Sequence, residues 1–134
     1  MVVVLIIAIL IAIAIPQFLG ARGRAQDSAA KSDLRNALTA EKTSFTDTQK
    51  YSSDVAANGV LDSIEPSLAW GTAPSVTVGD VGAVVGNVVC LQETSKSGTV
   101  FSIADVAVGT SAGTYYNKGN CSTTVATVAA WTGW

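Results

Sequence analysis

The 134-residue sequence contains no histidine. Its absence removes the commonest general base, the Ser-His-Asp and Cys-His triads and most zinc sites. Neither a phosphate-binding loop nor a dinucleotide fingerprint occurs. The Gly-rich stretch Gly79–Gly86, GDVGAVVG, lacks the Lys-Ser/Thr ending and a following helix, so it reads as strand and turn. Asp80, Glu93 and Asp105 are too dispersed for an EF-hand. No catalytic residue, cofactor or metal is expected, and the chain is read as a non-enzyme. Charge is also scarce, at 13% of residues with a net of -2. Between Arg22 and Lys50 six bases face four acids, whereas beyond Tyr51 six acids face only Lys96 and Lys118. An acidic outer part offers no electrostatic footprint for nucleic acid.

The first fifteen residues, Met1 to Ile15, hold no polar side chain, and no charge precedes Arg22. As a helix they reach about 22 Å, short of the roughly 30 Å hydrocarbon core of a bilayer. A cleaved secretory signal would carry a basic start and a small-residue cleavage site, which are missing. A buried helix of a soluble protein this uniformly apolar would need a larger domain around it. A membrane or polymer-core helix is the reading that survives. Pro16 removes a backbone donor and disfavours a helical Ile15, so an interruption is expected near it, with apolar character resuming at Phe18 and Leu19.

From Ala21 to Thr48 the composition is that of a helix, rich in Ala, Leu, Arg, Lys and Glu and free of Pro. Ala30, Leu34, Ala37 or Leu38, and Phe45 mark a narrow apolar stripe. Asp27 and Lys31 make a favourably oriented i,i+4 pair, and the remaining charges read as a solvated face. A loop follows, broken by Asn58-Gly59, Pro66, Gly71 and Pro74, with Leu61, Ile64, Leu68 and Trp70 expected to pin it to the core.

After Ser75 the residues turn to Val, Thr and Ile punctuated by Gly. Strands are expected near Ser75–Val78, Val84–Gln92, Thr99–Val108 and Ser122–Val128, with Tyr115 and Tyr116 in another short one. Short connections favour an antiparallel meander, and ETSKSG at Glu93–Gly98 is its clearest hairpin turn. Two cysteines in a chain with a membrane segment, Cys90 and Cys121, favour one disulfide in an exported domain over two separate buried thiols. The bridge would staple the last strand to the sheet and leave Thr110–Asn120 as a tied-down surface loop. It also argues for an outside location, against the opposite orientation suggested by Arg22 and Arg24 just past the apolar run. Asn120-Cys121-Ser122 formally matches N-x-S and makes Asn120 a candidate glycosylation position, although the bridged cysteine at its centre weighs against it. Trp131 and Trp134 read as a clamp over the sheet edge.

The fold class is therefore α+β: a long N-terminal helix, interrupted near Pro16, packed on a small antiparallel sheet of about four strands. Residues 1–20 form an apolar stalk, 21–50 an amphipathic helix joining stalk to head, and 51–134 the head, with its loop at 51–74 and its disulfide-bearing sheet at 75–134.

The stretch MVVVLIIAILIAIAIPQFLGARGRAQDSAAKSDLRNALTAEK, with Pro16 followed by Gln17-Phe18 and an Ala-rich amphipathic continuation, closely resembles the N-terminal helix of type IV pilins. The resemblance covers the first third in sequence and the remainder in pattern. It implies a pilin-like αβ-roll and a structural subunit, held in the inner membrane before assembly and forming the core of an extracellular filament afterwards. Met1, Val4, Leu5, Ala8, Ile11, Ile15, Pro16 and Phe18 would then belong to the polymerisation core, and Ala8–Ile15 would lose helical order in the filament. A prepilin peptidase and a pilus assembly ATPase are implied as partners. Aligned on Pro16, Met1 stands just after the hexapeptide Phe-Thr-Leu-Ile-Glu-Leu with which mature pilins usually begin. An incomplete amino terminus is thus expected, and about six further residues would lengthen the apolar helix to about 31 Å. A pseudopilin of a type II secretion system is the runner-up. Pseudopilins often use calcium where this chain has Cys90 and Cys121. A monomeric membrane-anchored binding module is the third reading, but it gives no reason for the Pro16 context.

Overall fold

The computed structural model describes residues 1–81 and 84–134; Gly82 and Ala83, in the middle of the Gly-rich stretch, lie outside them. One helix, α1, runs from Val2 to Thr48, about 70 Å at 1.5 Å per residue. It passes through Pro16 without the expected interruption. Pro16 has no amide hydrogen to give the Ala12 carbonyl, so one helical bond is lost, and the strong formers on both sides carry the helix across. The C-terminal end is unwound by Gln49, which takes a left-handed conformation (φ 59°) while its amide donates to Phe45 O at 2.8 Å. Threonines of the last turns turn their hydroxyls back onto the helix, Thr46 to Lys42 O and Thr48 to Ser44 O.

The second half of α1 lies on a four-stranded antiparallel meander. Its strands are β1 (Ser75–Val81), β2 (Val84–Thr94), β3 (Val100–Val106) and β4 (Gly113–Asn117), in the order β1-β2-β3-β4. Alternation along the strands sorts two layers. Val89, Leu91, Phe101 and Ile103 pack against Ala30, Leu34, Ala37 and Leu38 of α1. The other face carries Val88, Cys90, Ala104 and Val106, covered by the C-terminal segment through Val128 and the half-buried Trp131. The loop after α1 holds the short helix α2 (Val60–Ile64), and Leu61, Leu68 and Trp70 are buried in the helix-facing core. The Trp70 indole N–H donates to Glu65 O at 2.8 Å.

Three expectations are corrected. Ser122–Val128 is not a strand: it contains a short helix, α3 (Val125–Val128), preceded by irregular chain. Val125 and Val128, three residues apart, share one helical face and reach the far side of the sheet, where a strand would point only alternate residues inward. Tyr115 and Tyr116 lie in the expected further short strand, the edge strand β4, so the middle of Thr110–Asn120 belongs to the sheet rather than to a surface loop. Asp27 does not pair with Lys31. Its carboxylate accepts from the Ser97 hydroxyl at the β2–β3 turn, while the Lys31 ammonium sits over the Phe101 and Trp134 rings at 4.7 and 5.1 Å.

Cys90 and Cys121 are joined in a disulfide, with their Cα atoms 5.7 Å apart. From Cys121 the chain crosses the far face through α3, rounds the edge of β4 where Gly133 bridges Asn117, and ends with Trp134 on the helix side. There Trp134 meets Tyr116 edge-on at 5.0 Å and Phe101 at 5.8 Å, with its indole N–H on Ser102 O at 2.9 Å. Trp131 and Trp134 thus sit on opposite faces of the sheet, on either side of the β4 edge.

Candidate assembly surface

Every residue from Met1 to Arg22 is exposed. Fourteen large apolar side chains between Met1 and Leu19 stand uncovered, from Met1 and Val2 to Phe18 and Leu19. This part of α1 is long and apolar enough to cross a bilayer. A helix apolar all round has no solvated face and is stable only when something surrounds it. Val4, Ala8, Ile11, Ile15 and Phe18 follow each other at spacings of four and three, so they form one stripe. Leu5 and Pro16 flank that stripe, and Met1 caps the helix start. Ile11, Ile15 and Phe18 meet around an apolar hollow of about 370 Å³ completed by Ala14 and Leu19. Ala8 and Ala12, four apart, leave a narrow strip against which another helix could approach closely.

The head to which this stalk is attached is closed by comparison. Lys42 and Asp105 form an ion pair at 2.9 Å, and the same carboxylate accepts from the Thr114 and Tyr51 hydroxyls. Nothing in their type or spacing signals that these four residues meet. Burial, the Asp105 bond and the nearby carboxylates push the Tyr51 hydroxyl well above its ordinary range, so it remains a donor. Glu41 is fully buried in the helix–sheet interface, where its Oε2 accepts from Ser52 N at 3.0 Å and its Oε1 has no partner. Burial raises this carboxyl to about 7. Glu93, on the opposite edge of the interface, is likewise raised to about 7, by burial and by Asp33 beside it. Neither glutamate is distinguishable by pattern from a solvated one, and both were missed.

Among the described residues no three His, Cys, Asp or Glu side chains converge on a point that could hold a metal ion. Asp105 is occupied by its own ion pair. Asn120 is exposed at the turn after β4, and its carbonyl accepts from the Asn117 amide. What the geometry offers is an apolar rod projecting from a packed head.

The chain is 39% identical over 80 residues to the type IV major pilin protein PilA of Myxococcus xanthus (strain DK1622). The match takes in 60% of this chain and 36% of that protein, so the chain spans little more than a third of its relative's length. No family model matches the chain, and no solved structure does. The resemblance carried by the stalk and neck is therefore accompanied by similarity to a major pilin. A long apolar N-terminal helix on a four-stranded antiparallel sheet is consistent with that fold.

Proposed function

We propose that this chain, similar to a type IV major pilin, is a structural subunit that polymerises through its apolar stalk, residues 1–20, into an extracellular type IV pilus filament. The observation that carries the reading is the uncovered stalk beside a head that has already closed its own core. The head has no face left to shelter the stalk, so it must be covered by lipid or by copies of itself.

The two coverings differ physically. Burying one large apolar side chain out of water is worth about 1.5–3 kcal/mol, which makes the stalk insoluble when bare. Exchange of lipid for other stalks gains nothing of this kind, because lipid tails are as apolar as Leu; close packing and backbone satisfaction have to decide it. The stripe through Val4, Leu5, Ala8, Ile11, Ile15 and Phe18, with Met1 at its start and Pro16 beside it, supplies the packing surface. The Ala12 carbonyl, left without a donor by Pro16, is the point where the helix opens on assembly and must be sheltered by neighbouring chains. Contacts between unlike faces of successive copies do not close, so they propagate a helical fibre. Before assembly the stalk anchors the subunit in the inner membrane. A prepilin peptidase and an assembly ATPase are the partners this life history requires.

Electron microscopy of sheared surface appendages, with intact-mass measurement of their subunit, tests the reading. Fibres built from this chain are expected, with a polar substitution such as Ile11→Asn abolishing them while the head stays folded. A chain that stays monomeric when detergent is withdrawn, with its stalk protected inside its own head, would overturn it.

A further inference from the structure

A groove of about 580 Å³ opens where α1 leaves the head, between Arg22, Gln26, Ala29 and Asp33 on the helix and Glu93 and Lys96 at the end of β2. Its floor is alanine methyl groups and its rim is charged. Glu93 Oε2 is buried there without a hydrogen-bond partner. Asp33 stands beside Glu93 and adds to the effect of burial in favouring its protonated form. Arg22 and Lys96, though on the rim, are exposed. Among the described residues the one ion pair is Lys42 with Asp105, so neither Asp33 nor Glu93 is neutralised within its own chain. A buried acceptor beside a second carboxylate is a place prepared for a cationic donor.

The neck of α1 carries such a donor. Arg24 is exposed and does not line the groove. Two residues along the helix from Arg22, it points about 200° away from it, to the opposite flank of the head, in line with Lys31, Arg35 and Lys42, which touch the β3–β4 side. Nine residues separate Arg24 from Asp33, about 14 Å along α1. A second copy lying alongside in the same direction, displaced by that distance, brings its Arg24 level with the first copy's groove. The planar guanidinium, with five donors, suits two adjacent carboxylates better than an ammonium would. The geometry points to Arg24 of a neighbouring copy as the partner of Glu93 and Asp33, a head-to-neck contact that fixes the axial offset between subunits. It rests on the filament reading above. It adds to the stalk, which is apolar on every face, a polar contact that specifies register.

The test uses the full chain, as detergent-solubilised subunit and as assembled fibre. Arg24→Lys keeps the charge and supplies an amine that a zero-length carbodiimide can couple to a carboxylate in contact with it. Coupling between copies to the segment bearing Asp33 or Glu93 is expected in fibres and not in the dispersed subunit. Arg24→Glu is expected to cut fibre yield by about tenfold or more, because like charges then face each other across the contact. Combining it with Asp33→Arg restores assembly, and thermal unfolding of the dispersed subunit reports that the head is intact in each variant. Arg24→Lys fibres in which the introduced amine couples to other carboxylates, or fibres that form equally well with Arg24→Glu, overturn the contact and leave the filament reading standing. A wild-type chain that forms no fibres overturns the filament reading and the contact with it.

Discussion

Glu41 occupies a place on α1 where an apolar residue would pack equally well, and its cost can be stated. Its carboxyl rises from 4.5 to about 7 because burial penalises the charged form, partly offset by the Ser52 amide. Between those two values the folded chain binds more protons than the unfolded one. Stability contributed at this site is therefore greatest below about pH 4.5, falls as pH rises, and is lost above about pH 7. The full difference is worth about 3 kcal/mol. Glu41→Gln keeps the acceptor for Ser52 N and removes the charge. We expect it to raise unfolding stability at pH 8 by about 2 kcal/mol and to flatten the decline between pH 5 and pH 8, read by thermal or denaturant unfolding of the full chain in detergent. A substituted protein with the wild-type pH profile would mean that water reaches the carboxylate. The neighbouring Tyr51, Asp105, Thr114 and Lys42 show the opposite solution, in which every oxygen of a buried carboxylate is matched by a donor.

Among the elements, the C-terminal segment depends most on a single bond. The Cys90–Cys121 bridge spans 31 residues that include β3 and β4, and its cross-link is worth about 3–4 kcal/mol on the chain-entropy account. Replacing both cysteines by alanine should cost about 3 kcal/mol. The loss should fall first on Cys121–Trp134, seen as faster amide exchange there than in β2 and β3; exchange that rises evenly through the head would show that the segment is not a separate unit. This segment is also where reading from sequence stopped. Ser122–Val128 is rich in Thr and Val and so resembles a strand, but strand propensity is mostly packing on a pleated surface. Here the sheet's far face selects the three-residue spacing of Val125 and Val128 instead. On α1 the stripe from Ala30 to Leu38 was legible because apolar residues recur at helical spacing. Its wider part at Ala40, Glu41 and Ser44 was not, since polar residues give no sign of burial. The hairpin at Glu93–Gly98 was legible because its turn is local, with the Ser95 amide on Thr99 O at 2.8 Å. The groove beside it brings together parts of α1 and β2 some sixty residues apart and could not be read from either.

At the scale of the whole molecule, charge is divided along the long axis. The neck and lower helix, Arg22 to Lys50, carry +2, as six bases less four acids, and the chain beyond Tyr51 carries -4, as two bases less six acids. In the proposed filament the basic necks face inward and the acidic heads outward, which would give each fibre a negative coat. Two such coats repel at neutral pH and low salt, which keeps fibres separate. The net charge of the whole chain is only -2, so protonating two carboxylates per subunit cancels it. Carboxylates as a class titrate near 4, whereas Glu41, buried inside the head and raised to about 7, takes up a proton first. Fibres are therefore expected to bundle side by side as pH falls to about 5 and to separate again when pH is restored. At pH 8 about 0.1 M salt should weaken the repulsion as well, since it shortens the screening length to about 10 Å. Light scattering with electron microscopy at each pH distinguishes the outcomes. Bundling at pH 8 in low salt would mean that the acidic surface faces inward, and would reverse the assignment of head and neck to the outside and inside of the fibre.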